Sequence, residues 1–66
     1  MRREEIPDYF LKRKIKLVKN DGFVLVGKIR SINDGNLIFE TNQATSIISL
    51  DNIKEIVLSR NNYGEF

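Results

Sequence analysis

The spacing of the apolar residues changes at Lys14, and this change constrains the fold more than any other feature of the chain. Charged and apolar residues alternate from Lys14 to Lys19, which is the pattern of a β-strand with one buried face. Asn20, Asp21 and Gly22 follow, and an Asp-Gly pair between two apolar runs is a strong signal for a tight hairpin turn. Four more β-forming runs come next, separated by short polar clusters: residues 23–32, 37–41, 44–50 and 53–58. We therefore expect five consecutive antiparallel strands.

The second of these runs is long, and Gly27 divides it into two halves. A glycine inside a strand commonly marks a bulge or a sharp bend, and a long strand bent at a glycine lets a small sheet curl. Five short strands of this kind favour a small closed or partly open barrel. The expected fold is mostly β, a strongly bent, five-stranded antiparallel small β-barrel. We expect a single domain over residues 1–60 and a polar tail over residues 61–66.

The segment before the strands predicts a short N-terminal helix over residues 3–13. Pro7 is tolerated in the first turn of a helix, Asp8 suits the positive end of the helix dipole, and Lys12, Arg13 and Lys14 suit its negative end. At about two turns, such a helix is too short to be stable alone, so we expect it to dock on the sheet.

The composition excludes several classes of function. The 66 residues include no cysteine and no histidine, which removes disulfides, the usual zinc ligands and every Cys- or His-based catalytic arrangement. Each of the four aspartates lies at an expected turn or at the expected helix start, where they do not form a fixed acid–base pair. We predict no enzyme activity, no metal and no cofactor. A chain this short buries only about 60% of its unfolded surface, and self-association is the remaining route to extra stability.

The charges are nearly balanced, with eleven Lys and Arg against nine Asp and Glu and a net charge of +2. Their distribution is less even, because five of the basic residues lie between Lys12 and Lys19. No run approaches the roughly 18 apolar residues of a membrane span, and the N-terminal residues lack the apolar core of a signal peptide. The sequence therefore predicts a soluble cytoplasmic protein with no membrane partner.

Two segments resemble the motifs of the Sm-like (LSm) family, which includes bacterial Hfq. Residues 17–22 and 27–33 follow the first motif, with the usual spacing from Gly22 to Gly27, and residues 47–57 are similar to the second motif, two apolar strands split by a short turn. The resemblance implies an Sm-like, SH3-like barrel that assembles into a ring of six or seven subunits. It also implies binding of single-stranded RNA.

The chain departs from the family at the positions that read a uridine base. The family carries an Asp, a stacking residue and an Asn at the turn before the third strand, and these places hold Asn33, Gly35 and Leu37 here. Asn36 lies one position away. The second motif has no basic residue where the family presents Arg-Gly or Lys-His, since residues 49–51 read Ser-Leu-Asp.

Four residues are candidates for RNA binding. Arg13 and Lys14 are candidates for phosphate contacts, which are independent of sequence, and Asn33 and Asn36 are candidates for the base side. Both the two cations and the two asparagines also have an alternative interpretation without RNA binding. The cations also fit a solvated strand face, and the asparagines also fit a plain turn, which their tolerance of left-handed backbone favours.

Three functions are compatible with these observations. The first is an Sm-like homo-oligomeric ring that binds single-stranded RNA, mainly by backbone and polar-loop contacts. The alternative is a ring scaffold for protein assembly that has lost the uridine pocket, and a third is a monomeric SH3-like barrel that recognises a protein partner. In the Sm-like fold the fourth and fifth strands are edges, which invite pairing with another copy.

Overall fold

A computed structural model of the protein describes residues 1–59. The five strands are β1 (Lys14–Lys19), β2 (Val24–Asn33), β3 (Asn36–Glu40), β4 (Thr45–Ser49) and β5 (Ile53–Leu58). They form one antiparallel sheet with the order β4-β3-β2-β1-β5. The prediction of a mostly β chain with five consecutive antiparallel strands is confirmed. The polar tail predicted over residues 61–66 lies outside the described residues.

Strand β2 is shared between two halves of the sheet. Residues 24–28 pair with β1 and residues 28–33 pair with β3. The change of partner occurs beside Gly27, where a Cβ atom would overlap the carbonyl oxygen of Glu40 and would lie 3.0 Å from the ring of Phe39. Only a residue without a side chain allows this approach of the two backbones. The glycine is therefore required by packing at the point where β2 passes from one partner to the other.

All five strands contribute to one apolar core. Its nine buried residues are Ile6, Ile15, Leu17, Ile29, Leu37, Phe39, Ile48, Leu50 and Ile53. The sheet is open, because β4 and β5 occupy its two edges and do not pair with each other within residues 1–59. The aromatic side chains of Tyr9 and Phe23 are 63% and 58% exposed and do not join this core.

The predicted N-terminal helix is wrong. Residues 3–13 form two separate 3₁₀ turns, Arg3–Glu5 and Asp8–Phe10. Pro7 lies in the middle of this segment, where its missing N–H and its ring interrupt a helix, and the residue before a proline avoids helical backbone. Accordingly Ile6 is extended, at φ −109° and ψ 109°, and its side chain is only 2% exposed.

Replacing Ile6 with alanine should lower the free energy of unfolding by about 2–5 kcal/mol, because the N-terminal segment is held on the sheet by this buried side chain. Urea denaturation followed by circular dichroism measures the change. The matched control is Glu4→Ala in the adjacent exposed turn, for which we expect a change within about 0.5 kcal/mol. Equal stability of both variants would contradict the anchoring role of Ile6.

Replacing Gly27 with alanine should cost about 1–3 kcal/mol, because the new methyl group must push β2 away from the Glu40 carbonyl. The same denaturation experiment applies. Ser46→Ala is the control, since Ser46 is an exposed residue of β4, and we expect it to change the stability by no more than about 0.5 kcal/mol. A harmless Gly27→Ala variant would mean that β2 does not approach Glu40 this closely.

Candidate functional site

The asparagines predicted for the base side lie in a two-residue hairpin turn between β2 and β3. Asn33 and Asn36 are partners in the β-sheet register, and the two residues between them have positive φ, 51° at Asp34 and 79° at Gly35. These angles fit a type I′ turn, which matches the twist of the adjoining strands. Both asparagines are exposed, and among residues 1–59 neither side chain has a hydrogen-bond partner. The type I′ turn therefore accounts for the backbone conformation of these residues, and it leaves the side-chain amides of both asparagines available to a ligand.

A cleft of about 450 Å³ opens beside this turn. Its other walls are the 3₁₀ turn Leu50–Asn52 and the N-terminal segment, and the amide of Leu50 donates to the carbonyl of Gly35 over 2.9 Å. Asn36 and Ser49 lie opposite each other at its rim. These groups offer hydrogen bonds in several directions, as the edge of a base or a sugar would need.

The charge of this cleft is mixed. Arg2 and Arg3 line it together with three carboxylates, those of Glu4, Asp34 and Asp51. Arg3 is already engaged, since its guanidinium donates to the carbonyl of Ile6 and to the Asp8 carboxylate, each over 2.9 Å. The cleft therefore supplies polar contacts, and its carboxylates weaken its attraction for phosphate.

A second groove, of about 330 Å³, is strongly basic. Lys12, Lys28 and Arg30 line it with a single carboxylate, that of Glu40. The backbone N–H of Lys12 donates to the carbonyl of Ile29 over 2.9 Å, in a left-handed conformation with φ 64°. This bond holds the end of the N-terminal segment against β2 and places Lys12 beside the two cations of that strand.

A bulge in the sheet determines the position of Arg30. The register of β2 with β3 shifts between Ile29 and Ser31, so that Arg30 lies in a bulge. Its Nη1 donates to Oε1 of Glu40 over 2.9 Å, with side-chain exposures of 58% and 40%. An ion pair this exposed stabilises the fold by less than about 1 kcal/mol. The pair therefore orients Arg30 at little energetic gain.

The structure divides the four predicted RNA-binding residues between two places. Lys14 begins β1 directly opposite Lys28, and Arg13 is exposed just before it, so both belong to the region of the basic groove. Asn33 lies five positions from Lys28 along β2, roughly 17 Å at the usual rise per residue of a strand. A single chain therefore does not bring the phosphate and base candidates into one site.

The other cations that line the basic groove and the cleft were not identified from the sequence. The signal for Lys28 and Arg30 is their alternation on the outer side of β2, but their approach to Lys12 depends on the fold of the N-terminal segment. Of the two arginines of the cleft, Arg3 begins the predicted helix that does not form, and Arg2 precedes it. The β2–β3 turn, residues 33–36, has no aromatic side chain.

No family model, curated protein or solved structure matches the chain. Within residues 1–59, no three acidic side chains come together in a way that could hold a metal ion. None of the helical segments in that part of the chain has the length and apolar character needed to cross a membrane.

Proposed function

We propose that the chain is an Sm-like, homo-oligomeric ring protein that binds single-stranded RNA, mainly through backbone phosphates and polar loops. The observation that carries this proposal is the convergence of Lys12, Lys28 and Arg30 in one groove with a single carboxylate. Lys14, opposite Lys28, and the neighbouring Arg13 extend the positive charge at the same end of the sheet. A local excess of cations attracts a phosphate backbone whatever its sequence.

The polar cleft at the β2–β3 turn provides the base side of the proposed site. Asn33 and Asn36 offer amides to the edges of unpaired bases, but the turn has no aromatic ring on which a base could stack. Binding should therefore be weakly selective for sequence. Because the groove and the cleft lie at opposite ends of the second half of β2, a bound strand contacts them in succession.

The two edge strands support ring assembly. Edges expose unpaired backbone groups that invite pairing with another chain, and Ile47 on β4 is 72% exposed. In the proposed ring the sheet of each copy curls as a small, partly open barrel, and β4 of one copy pairs with β5 of the next. Head-to-tail pairing around a rotation axis leaves no free edge. The resemblance to the family implies six or seven copies.

A ring also explains how weak sites could bind a strand well. Each groove offers only a few exposed cations, but a strand held by one subunit is presented to the next at a high effective concentration. Several modest contacts then combine without a deep pocket.

A ring scaffold without RNA binding is the second candidate function. It is favoured by the three carboxylates in the cleft and by the missing stacking residue at the β2–β3 turn. The edge strands support it equally. The third possibility, a monomeric SH3-like barrel that recognises a protein, leaves both edges uncovered.

Fluorescence anisotropy with labelled oligo(U) and oligo(A) at two salt concentrations tests RNA binding. We expect both to bind, with a steep loss of affinity as salt rises. Arg30→Gln should weaken binding, because it removes a cation from the groove, and the salt slope should become shallower by about 0.7 for each phosphate that the variant no longer neutralises. Glu40→Gln should strengthen binding, because it removes the carboxylate that opposes phosphate.

The control for this pair is Lys19→Gln, which changes the charge by one on β1, outside the groove and not on an edge strand. We expect little effect on affinity. Absence of binding at the lower salt concentration would contradict the RNA proposal and favour the scaffold. RNA binding that is weakened by Arg30→Gln, strengthened by Glu40→Gln and unchanged in the control would assign the binding to the basic groove.

Light scattering coupled to size-exclusion chromatography tests the ring. The mass should be about six or seven times the 7.7 kDa of one chain. Ile47→Lys should shift it towards the single-chain mass, because a lysine on an edge strand opposes pairing with another copy. Gln43→Lys adds the same charge in the loop before β4 and should leave the assembly intact.

Two results would contradict edge pairing. One is a wild-type mass of a single chain. The other is an unchanged assembly in the Ile47→Lys variant, which would place the contact between copies elsewhere on the surface.

A further inference from the structure

The outer surface of β5, β1 and the first half of β2 carries four valines around one lysine. Lys16 is the register partner of Val26 on β2 and of Val57 on β5, and Val18 is the partner of Val24. Directly paired residues project to the same side of a sheet, as do residues two apart on one strand. We name this surface, formed by Val18, Val24, Val26 and Val57 with Lys16 between them, the valine face.

The valine face is the side of the sheet that the core does not use. Ile15 and Leu17, which alternate with Lys16 on β1, are completely buried on the other side. Val24, Val26 and Val57 remain 48%, 43% and 38% exposed. A single exposed valine on a strand needs no explanation beyond its strand propensity. Here, however, the exposed valines occupy neighbouring rows of the sheet and form a contiguous patch. Such patches mark interaction sites on soluble proteins.

The charges around this patch are mainly positive. Lys16 lies at its centre and has no ion-pair partner within residues 1–59. Lys14 and Lys28 face each other in the next row. Glu55, opposite Val18, is the one carboxylate among the rows of the face, and Glu40 beyond Lys28 is held by Arg30. A complementary occupant therefore combines aliphatic side chains with negative charge.

This chemistry argues against RNA and against a second copy of the chain. Bases stack on flat side chains, which valines do not provide, and Phe23, the nearest exposed aromatic, has Nζ of its own Lys19 5.9 Å from its ring centroid. A two-fold contact centred on this face would place Lys16 of one copy beside Lys16 of the other, which like-charge repulsion opposes.

We propose that the valine face docks an acidic segment of a partner protein, in which aliphatic residues flank an Asp or a Glu. The aliphatic side chains cover the valines, and the carboxylate pairs with Lys16. Side chains that project to one side of an extended segment repeat at the same interval as those on β1, so the two sets can align. The contact is small, as in transient complexes. This interaction is separate from the proposed RNA binding and does not depend on it.

Fluorescence anisotropy with labelled peptides of about six residues, the length of a typical strand, tests this proposal. One probe alternates Val and Glu, a second alternates Val and Lys, and a third alternates Ser and Glu. We expect the protein to bind the Val/Glu probe and to bind the other two at least several-fold more weakly. Absence of binding to the Val/Glu probe, or equal binding of the Ser/Glu probe, would overturn the proposal.

Two variants assign the binding to this face. Lys16→Glu should lower the affinity for the Val/Glu probe by about five- to tenfold and should raise the affinity for the Val/Lys probe. A structural defect cannot produce this reversal. Val26→Thr keeps the shape and strand propensity of the side chain and should weaken binding of the Val/Glu probe, while the circular dichroism spectrum and the urea midpoint stay close to those of the wild type. Lys54→Glu makes the same charge change as Lys16→Glu outside the face. An equal loss of affinity in Lys54→Glu, or unchanged affinity in a folded Val26→Thr variant, would refute the assignment.

Discussion

The close approach of β2 to the Glu40 carbonyl at Gly27 is the contact on which the rest of the structure depends. It lets one strand pair with β1 through its first half and with β3 through its second. Two short hairpins therefore become one sheet, with β5 continuing one side and β4 the other. Because all five strands direct residues into the same cluster, a chain of 66 residues obtains a single core without disulfides or metals.

The same shared strand determines where the functional groups meet. Lys28 is the residue of β2 that is registered with both neighbours, Lys14 on one side and Glu40 on the other. The bulge at Arg30 and the bond from Lys12 to Ile29 then bring two more cations to this point. The basic groove is thus assembled from three separate parts of the chain, and none of its cations is adjacent to another in the sequence.

This explains which parts of the molecule could be predicted from the sequence. Alternation and turn residues report local structure, so the strands, the tight turns and the importance of Gly27 follow from them. The predicted N-terminal helix does not form because it would need helical residues before Pro7, and burial of Ile6 favours extended backbone there. The four candidate RNA-binding residues come from the sequence, whereas the convergence of cations in the basic groove does not. Lys14 and Arg13 adjoin the groove, but its other members depend on register, on a bulge and on the position of the N-terminal segment.

The net charge of the chain is only +2, but individual surfaces differ in their charge and in the ligands that they suit. The basic groove is lined by charged side chains, three cations and one carboxylate, so it suits a hydrated phosphate backbone. The valine face combines its central cation with aliphatic area, and a purely polar polyanion gains nothing from covering that area. The edges of β4 and β5 offer backbone groups together with apolar side chains, which another strand satisfies. The proposed interactions with RNA, with an acidic peptide and with other copies of the chain therefore use distinct surfaces of one sheet, which differ in the apolar area beside each charge.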